Sequence, residues 1–141
     1  MNIIMEFKSF RVISVDYKVE NQNEDTNLDI NEDEENDIAN LRLNAGFSDI
    51  DDNGNAQLQL ELNVKDSGDD FLRTIKLSVI GLFKFNEFEN KDYTEKILRE
   101  NGTAILMPYI RSYLSTLTGF DNSTDHLLLP TINVSAMFEN E

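Results

Sequence analysis

Two places in this 141-residue chain hold residues that could do chemistry. The first is Asp49-Ile-Asp-Asp-Asn-Gly54, which matches the opening half of a calcium loop. Oxygen ligands at its first, third and fifth positions and a glycine at the sixth would let a short turn wrap a hard cation. The twelfth position, where a bidentate Glu belongs, is Leu60, and the flanks alternate as strands do. Asn53-Gly54 is a hairpin signal in its own right, so the segment is expected to be a plain hairpin. The second place is His126, the only histidine, in a polar stretch with no partner at metal-ligand or acid–base spacing.

Beyond these the reactive residue types are missing. There is no cysteine, which removes disulfides, thiolate metal sites and cysteine nucleophiles. No glycine-rich phosphate loop or nucleophile elbow occurs. Carboxylates abound, but no pair sits in an apolar setting that would drive two pKa values apart. Neither an enzyme nor a cofactor is expected.

Acids outnumber bases 27 to 12, a net charge of −15. Phosphate backbones need a basic stripe, so nucleic acid is not an expected partner. No apolar run approaches the roughly 20 residues of a membrane span. Glu6 and Lys8 interrupt Met1–Phe10, so no secretory signal is expected, and the sequons at Asn101, Asn122 and Asn133 then carry no meaning. A cytoplasmic protein of one domain, 1–141, is the expectation.

The elements follow from periodicity. Ile13-Ser-Val-Asp-Tyr-Lys-Val-Glu20 alternates, placing Ile13, Val15, Tyr17 and Val19 on one face of a first strand that begins near Phe7. Phe10 and Val12 fall out of phase with it. An acidic, Asn-rich loop at 21–37 follows, with Glu24, Asp25, Asp29, Glu32, Asp33, Glu34, Glu35 and Asp37 and no compensating base. Leu41, Leu43, Ala45 and Phe47 mark a second strand, and Leu58, Leu60, Leu62 and Val64 a third. The fourth, Phe71 to about Phe85, puts Ile75, Leu77, Val79, Phe83 and Phe85 on one face and, in its second half, Ile80 and Leu82 on the other. A strand apolar on both sides is either covered twice or offers a binding surface.

Asp92-Tyr-Thr-Glu95 has capping-box chemistry and predicts a short helix ending at Asn101-Gly102. A second, longer helix from Thr103 through Leu117 is expected, kinked or started at Pro108 and ended by Gly119. Leu106, Ile110, Tyr113, Leu114 and Leu117 give it one apolar stripe. Leu127-Leu-Leu-Pro130 reads as extended, and Asn133 or Ser135 could cap a brief closing helix.

The last third also carries a resemblance. Thr103-Ala-Ile-Leu-Met-Pro-Tyr-Ile-Arg111, then Leu127-Leu-Leu-Pro-Thr-Ile-Asn-Val-Ser-Ala-Met-Phe138, resembles the SecB family of export chaperones. That family carries an Ile-Leu-Phe-Pro-Tyr-x-Arg helix, an extended Leu/Pro segment and an Asn-Phe-x-Ala-Leu-Phe run. Gly81-Leu-Phe-Lys-Phe85 is similar to the end of the family's fourth strand, and Phe7, Arg11, Asp16 and Glu20 match its first. The resemblance covers most of the chain in order, apart from the acidic loop.

The resemblance implies an α+β fold, a four-stranded antiparallel sheet with helices packed on one face. It implies a homotetramer, a dimer of dimers, whose helix layer would be packed by Ile75, Leu77, Val79, Leu106, Ile110, Leu114 and Leu117. It further implies binding of unfolded polypeptide without ATP, in an apolar groove expected to use Leu82, Phe83, Phe85, Tyr109, Leu127, Leu128 and Leu129. Asp16 and Glu20 would contact the translocase motor SecA. Thr74 and Lys76 stand where the family has Leu and Glu, and the chain stops at Glu141 where well-studied members continue. Both departures point away from motor docking. The expected clients are unfolded precursor proteins, or one dedicated client such as an antitoxin of a toxin–antitoxin system. A non-chaperone interaction module is the remaining alternative.

Overall fold

The computed structural model describes residues 3–21, 40–68 and 70–120. Four strands, β1 (Met5–Asn21), β2 (Asn40–Phe47), β3 (Asn55–Ser67) and β4 (Phe71–Phe85), precede one long helix, α1 (Lys91–Gly119). They form an antiparallel sheet in the order β1-β4-β3-β2, so the first two strands are its edges. The helix crosses one face and touches all four strands.

Alternation builds the two central strands as expected. Ala56, Leu58, Leu60, Leu62 and Val64 of β3 and Ile75, Leu77, Val79, Phe83 and Phe85 of β4 are buried, and they meet Leu98, Leu106, Met107, Ile110 and Leu114 of α1. Each fully buried Leu, Ile or Phe contributes about 1.5–3 kcal/mol. Leu117 is half-buried at the edge of the same cluster.

The first strand departs from simple alternation, and the reason is local. Its register against β4 slips twice, between Phe7 and Ser9 and between Val12 and Ser14, leaving Lys8 and Ile13 as extra residues. Each bulge reverses the facing of everything beyond it. Phe7, Phe10, Val12, Val15 and Tyr17 therefore all share the helix side, opposite Phe83, Gly81, Val79, Leu77 and Ile75. The expectation that Ile13 faces inward is corrected: it is the bulged residue and is 48% exposed. Phe10 and Val12, out of phase by sequence, pack on the core.

The helix corrects the expectation of two. It runs unbroken for 29 residues through both Asn101-Gly102 and Pro108. Its N-cap is Asn90 rather than Asp92: the Asn90 side chain accepts from the Tyr93 amide at 3.1 Å. Gly102 lies against β3, where an added Cβ would stand 2.8 Å from Leu58 Cδ2. Conversely, an added Cβ on Gly81 of β4 would stand 2.8 Å from both methyls of Leu106. Each layer thus supplies a glycine hollow for a leucine of the other. Gly102 is a contact point, so the helix gains by continuing through it. Pro108 and Ala104, whose carbonyl loses its partner to the proline, are both exposed, so water can replace the missing bond.

The segment with calcium-loop chemistry is a hairpin, as expected. Asp51 Oδ1 accepts from the Asn53 and Asn55 amides at 2.9 and 2.8 Å, and Oδ2 from Asn55 Nδ2 at 3.3 Å. Gly54 has φ +87°, and its carbonyl accepts from the Phe85 amide at 2.8 Å, which ties the turn to the end of β4. The Asn55 amide, ahead of the other donors, holds the Asp51 carboxyl below its ordinary value. A lowered carboxylate pKa stabilises at neutral pH and ceases to do so as pH falls through it. The Asn53 and Asn55 amide proton shifts should therefore titrate together below the usual Asp range by NMR, and Asp51→Asn should abolish that titration.

One charged pair is sealed at the opposite end of the sheet. Arg73, 1% exposed, donates through Nε and Nη2 to the two Asp66 oxygens at 2.8 and 2.5 Å, and its guanidinium lies 5.1 Å from the Phe71 ring centroid. Burial works against the cation, but hydrogen bonding and attraction from Asp66 outweigh it, and its pKa is raised.

Candidate functional site

Bulges and helix together create an apolar strip along the outer edge of the core. Phe7, Phe10 and Val12 of β1 are half-buried, and Val15, next in that row, is 39% exposed. Tyr109 of α1 leans over this row. Its ring is 5.4 Å from Phe7 and 5.6 Å from Phe10, stacked on the latter at 24° between planes. Phe7 in turn contacts Phe83 at 5.5 Å. Four aromatic rings thus connect the core to the surface, and the outermost, Tyr109, is 47% exposed.

The residues expected in the groove divide among three environments. Tyr109 lies on the strip just described. Phe83 and Phe85 are each 1% exposed under the helix, so they support that surface from below. Leu82, 38% exposed, is on the opposite face of the sheet, across from Ser9 of β1 and Gln57 of β3. Leu127, Leu128 and Leu129 lie outside the described residues, as do His126, residues 22–37 of the acidic loop and the expected closing helix. Phe7, Phe10 and Val15 were not among the residues expected in the groove. The signal that could have found them was the phase break near Phe10, which is how a bulge appears in an alternating pattern.

The residues that the resemblance assigns to motor contact, Asp16 and Glu20, lie on one face of the sheet. On the face away from the helix, Asp16 is opposite Lys76, Lys18 opposite Thr74, and Glu20 opposite Leu72. Lys18 Nζ is 2.9 Å from Glu20 Oε1, and that hydrogen bond, then the Glu20 charge, raises the lysine pKa. Two carboxylates interleaved with two lysines make this patch neutral, in a chain that is otherwise strongly acidic.

The outward side of α1 has another character. From Asn101 to Phe120 its only charged residue is Arg111. Ala104, Pro108, Ser112 and Thr116 are exposed there. A small, uncharged helix face suits close packing against a second apolar layer. Among the described residues no group of three or more His, Cys, Asp or Glu could hold a metal ion. No described helix is long and apolar enough to cross a membrane.

Comparison with known proteins adds to this geometry. A family model described as SecB, preprotein translocase subunit SecB, matches residues 7–141. By sequence, no curated protein matches the chain. Among solved structures it is similar to the SecB-like chaperone of Mycobacterium tuberculosis, solved in complex with a peptide from the HigA1 antitoxin. That match has a TM-score of 0.70 at 15% identity and covers 91% of this chain and 90% of the other. At that identity it shows a shared fold. A Streptococcus agalactiae protein of unknown function aligns over 93% of this chain and 100% of its own at 14% identity, with a TM-score of 0.49, too low to imply a common fold.

Proposed function

Since the chain belongs to the SecB family, we propose that it is an ATP-independent holdase that binds unfolded or nascent polypeptide and keeps precursor proteins competent for export. The observation that carries this is the half-exposed aromatic strip of Tyr109, Phe10 and Phe7 beside an edge strand. Its rings are held in place by the core, so a client gains apolar burial at about 25 cal/mol per Å² without first ordering the surface. Phe83 and Phe85 form the floor beneath, and Leu82, Leu127, Leu128 and Leu129 complete the proposed client contacts. The protein is a non-enzymatic, cytoplasmic homotetramer in this reading, with the uncharged side of α1 buried between subunits.

A second reading, a chaperone dedicated to one client, has its own support. The similar M. tuberculosis chaperone was solved with an antitoxin peptide. The face that would meet SecA carries Lys18 and Lys76 between Asp16 and Glu20, so its attraction for a basic partner is weakened.

Suppression of aggregation of a chemically denatured protein, followed by light scattering, tests the shared claim. Tyr109→Asp should weaken client binding about tenfold, equivalent to about 1.4 kcal/mol, and Tyr109→Phe should leave it intact. Both variants should remain tetrameric. A protein that leaves aggregation unchanged would refute the holdase. Capture of many precursors from the host would favour export, and one dominant partner would favour dedication.

A further inference from the structure

We propose that Asn53 is a deamidation site: the folded hairpin holds it closed, a local opening of that hairpin lets it react, and the product cannot restore the tie to β4. It limits the lifetime of the folded chain, whatever the chain binds.

The chain has two Asn-Gly pairs, Asn53-Gly54 and Asn101-Gly102. In such a pair the glycine has no side chain to shield its amide nitrogen. That nitrogen, once deprotonated, attacks the asparagine Cγ. The N–Cγ bond forms, the Cγ–Nδ2 bond breaks, and ammonia leaves carrying the proton that the amide gave up. Water then opens the cyclic imide at either carbonyl, giving aspartate or isoaspartate. Water and the chain itself are the only reactants.

Both nitrogens are committed in the fold, but to different depths. The Gly54 amide donates to the Asp51 carbonyl at 2.9 Å, and the Asn53 amide to Asp51 Oδ1, also at 2.9 Å. On the other side the Gly54 carbonyl accepts from the Phe85 amide at 2.8 Å. Gly54 is buried, and a Cβ there would run into the Phe85 carbonyl oxygen. Bringing the Gly54 nitrogen to Asn53 Cγ needs rotation between the two residues, which breaks at least one of these bonds. Asn53 itself is exposed in the loop between β2 and β3, so the opening is small and local.

Asn101-Gly102 is the internal contrast. It lies within α1, where Gly102 is buried against Leu58 and its amide bonds within the helix. Freeing that nitrogen requires the helix to leave the sheet. The two pairs thus share one chemistry and differ in the event that must precede it.

The product also opposes reclosing. Isoaspartate routes the backbone through an extra methylene, which displaces Gly54 from Phe85. Either product adds a carboxylate beside Asp49, Asp51 and Asp52, where like charges repel. The end of β4 then loses the bond that fixes the Phe85 amide.

The test incubates the full chain at neutral pH, with and without urea, and follows both sites by peptide mapping with mass spectrometry. In urea the two asparagines should react within about twofold of each other, since unfolding removes both restraints. In the native chain Asn53 should react slower than in urea by about tenfold or more, and Asn101 slower than Asn53 by about tenfold again. Asp51→Ala removes the side-chain acceptor of the Asn53 and Asn55 amides, and should speed Asn53 about tenfold while leaving Asn101 unchanged. Asp51→Asn keeps an acceptor oxygen and should react as the unsubstituted chain does. If Asp51→Ala speeds both sites it has lost its fold, and the native chain against the urea-unfolded one then decides alone. Native reaction of Asn53 as fast as in urea would overturn the proposal, and so would equal native rates at the two sites. Hydrogen exchange gives a second readout: the Phe85 amide should lose protection in chains modified at Asn53, and unchanged protection would overturn the loss of the tie.

Discussion

Replacing Asp66 with leucine is expected to destabilise the fold by about 3–5 kcal/mol, because it leaves the Arg73 guanidinium buried without its carboxylate. Few single polar substitutions reach this size, since most surface ion pairs contribute little. Lys8–Glu6 and Lys91–Asp49, with side chains 45% to 88% exposed, are of that weaker kind. Arg73 differs because only 1% of its side chain meets solvent and both Asp66 oxygens are committed to it. The double variant Asp66→Leu with Arg73→Met should recover most of the loss, because a hydrophobic pair of similar volume needs no desolvation of charge. Urea unfolding of the three proteins at one fixed concentration measures this, and a double variant as unstable as the single one would show that the pair does more than neutralise itself. Because Asp66 and Arg73 flank the β3–β4 turn, the damage should begin at that end of the sheet.

Leu106→Ala should cost about 2–5 kcal/mol, through lost burial and the cavity left between the layers. Leu106 is fully buried, and its two methyls fill the hollow over Gly81. The reciprocal change, Gly81→Ala, adds a methyl 2.8 Å from those same atoms and should cost about 1–3 kcal/mol. Combining the two tests whether one methyl group can replace another: partial recovery is expected, since the added Cβ occupies part of the vacated volume. Simple additivity would show that the helix does not rest on the sheet at this point. In an oligomer these losses also shift assembly, so unfolding should be read at fixed protein concentration.

The third strand was legible because from Leu58 to Val64 its side chains obey one rule. Leu58, Leu60, Leu62 and Val64 alternate with polar residues, and each is buried. The Asn53-Gly54 turn was legible for a similar reason, since left-handed backbone at the second residue asks for glycine. Sequence reasoning failed where tertiary contact overrode a local preference. Asn101-Gly102 has the chemistry of a helix end, but Gly102 faces Leu58, and that packing favours continuing the helix. Ile13 belongs to an alternating run, but a bulge adds it to the strand without giving it a partner on β4. The aromatic site was half legible. Tyr109 stood out within Ile-Leu-Met-Pro-Tyr-Ile-Arg, whereas Phe7 and Phe10 are three residues apart and share a face only because Lys8 is bulged between them.

The strand order has a consequence for how the chain is made. β2, β3 and β4 are sequential neighbours and can pair by short connections, but β1 must wait for β4. Asn21 meets Phe71, so joining β1 to the sheet closes a loop of about fifty residues, an entropic cost that hairpin formation does not carry. The first strand to leave the ribosome is thus the last to find its place. It is also the strand that carries Phe7 and Phe10, the aromatic residues proposed to hold other proteins' unfolded segments. Until β4 is synthesised, those rings have no core beneath them, and the six charges spaced along β1 oppose aggregation of the nascent chain. A protein proposed to shield unfinished chains therefore passes through the same hazard during its own synthesis.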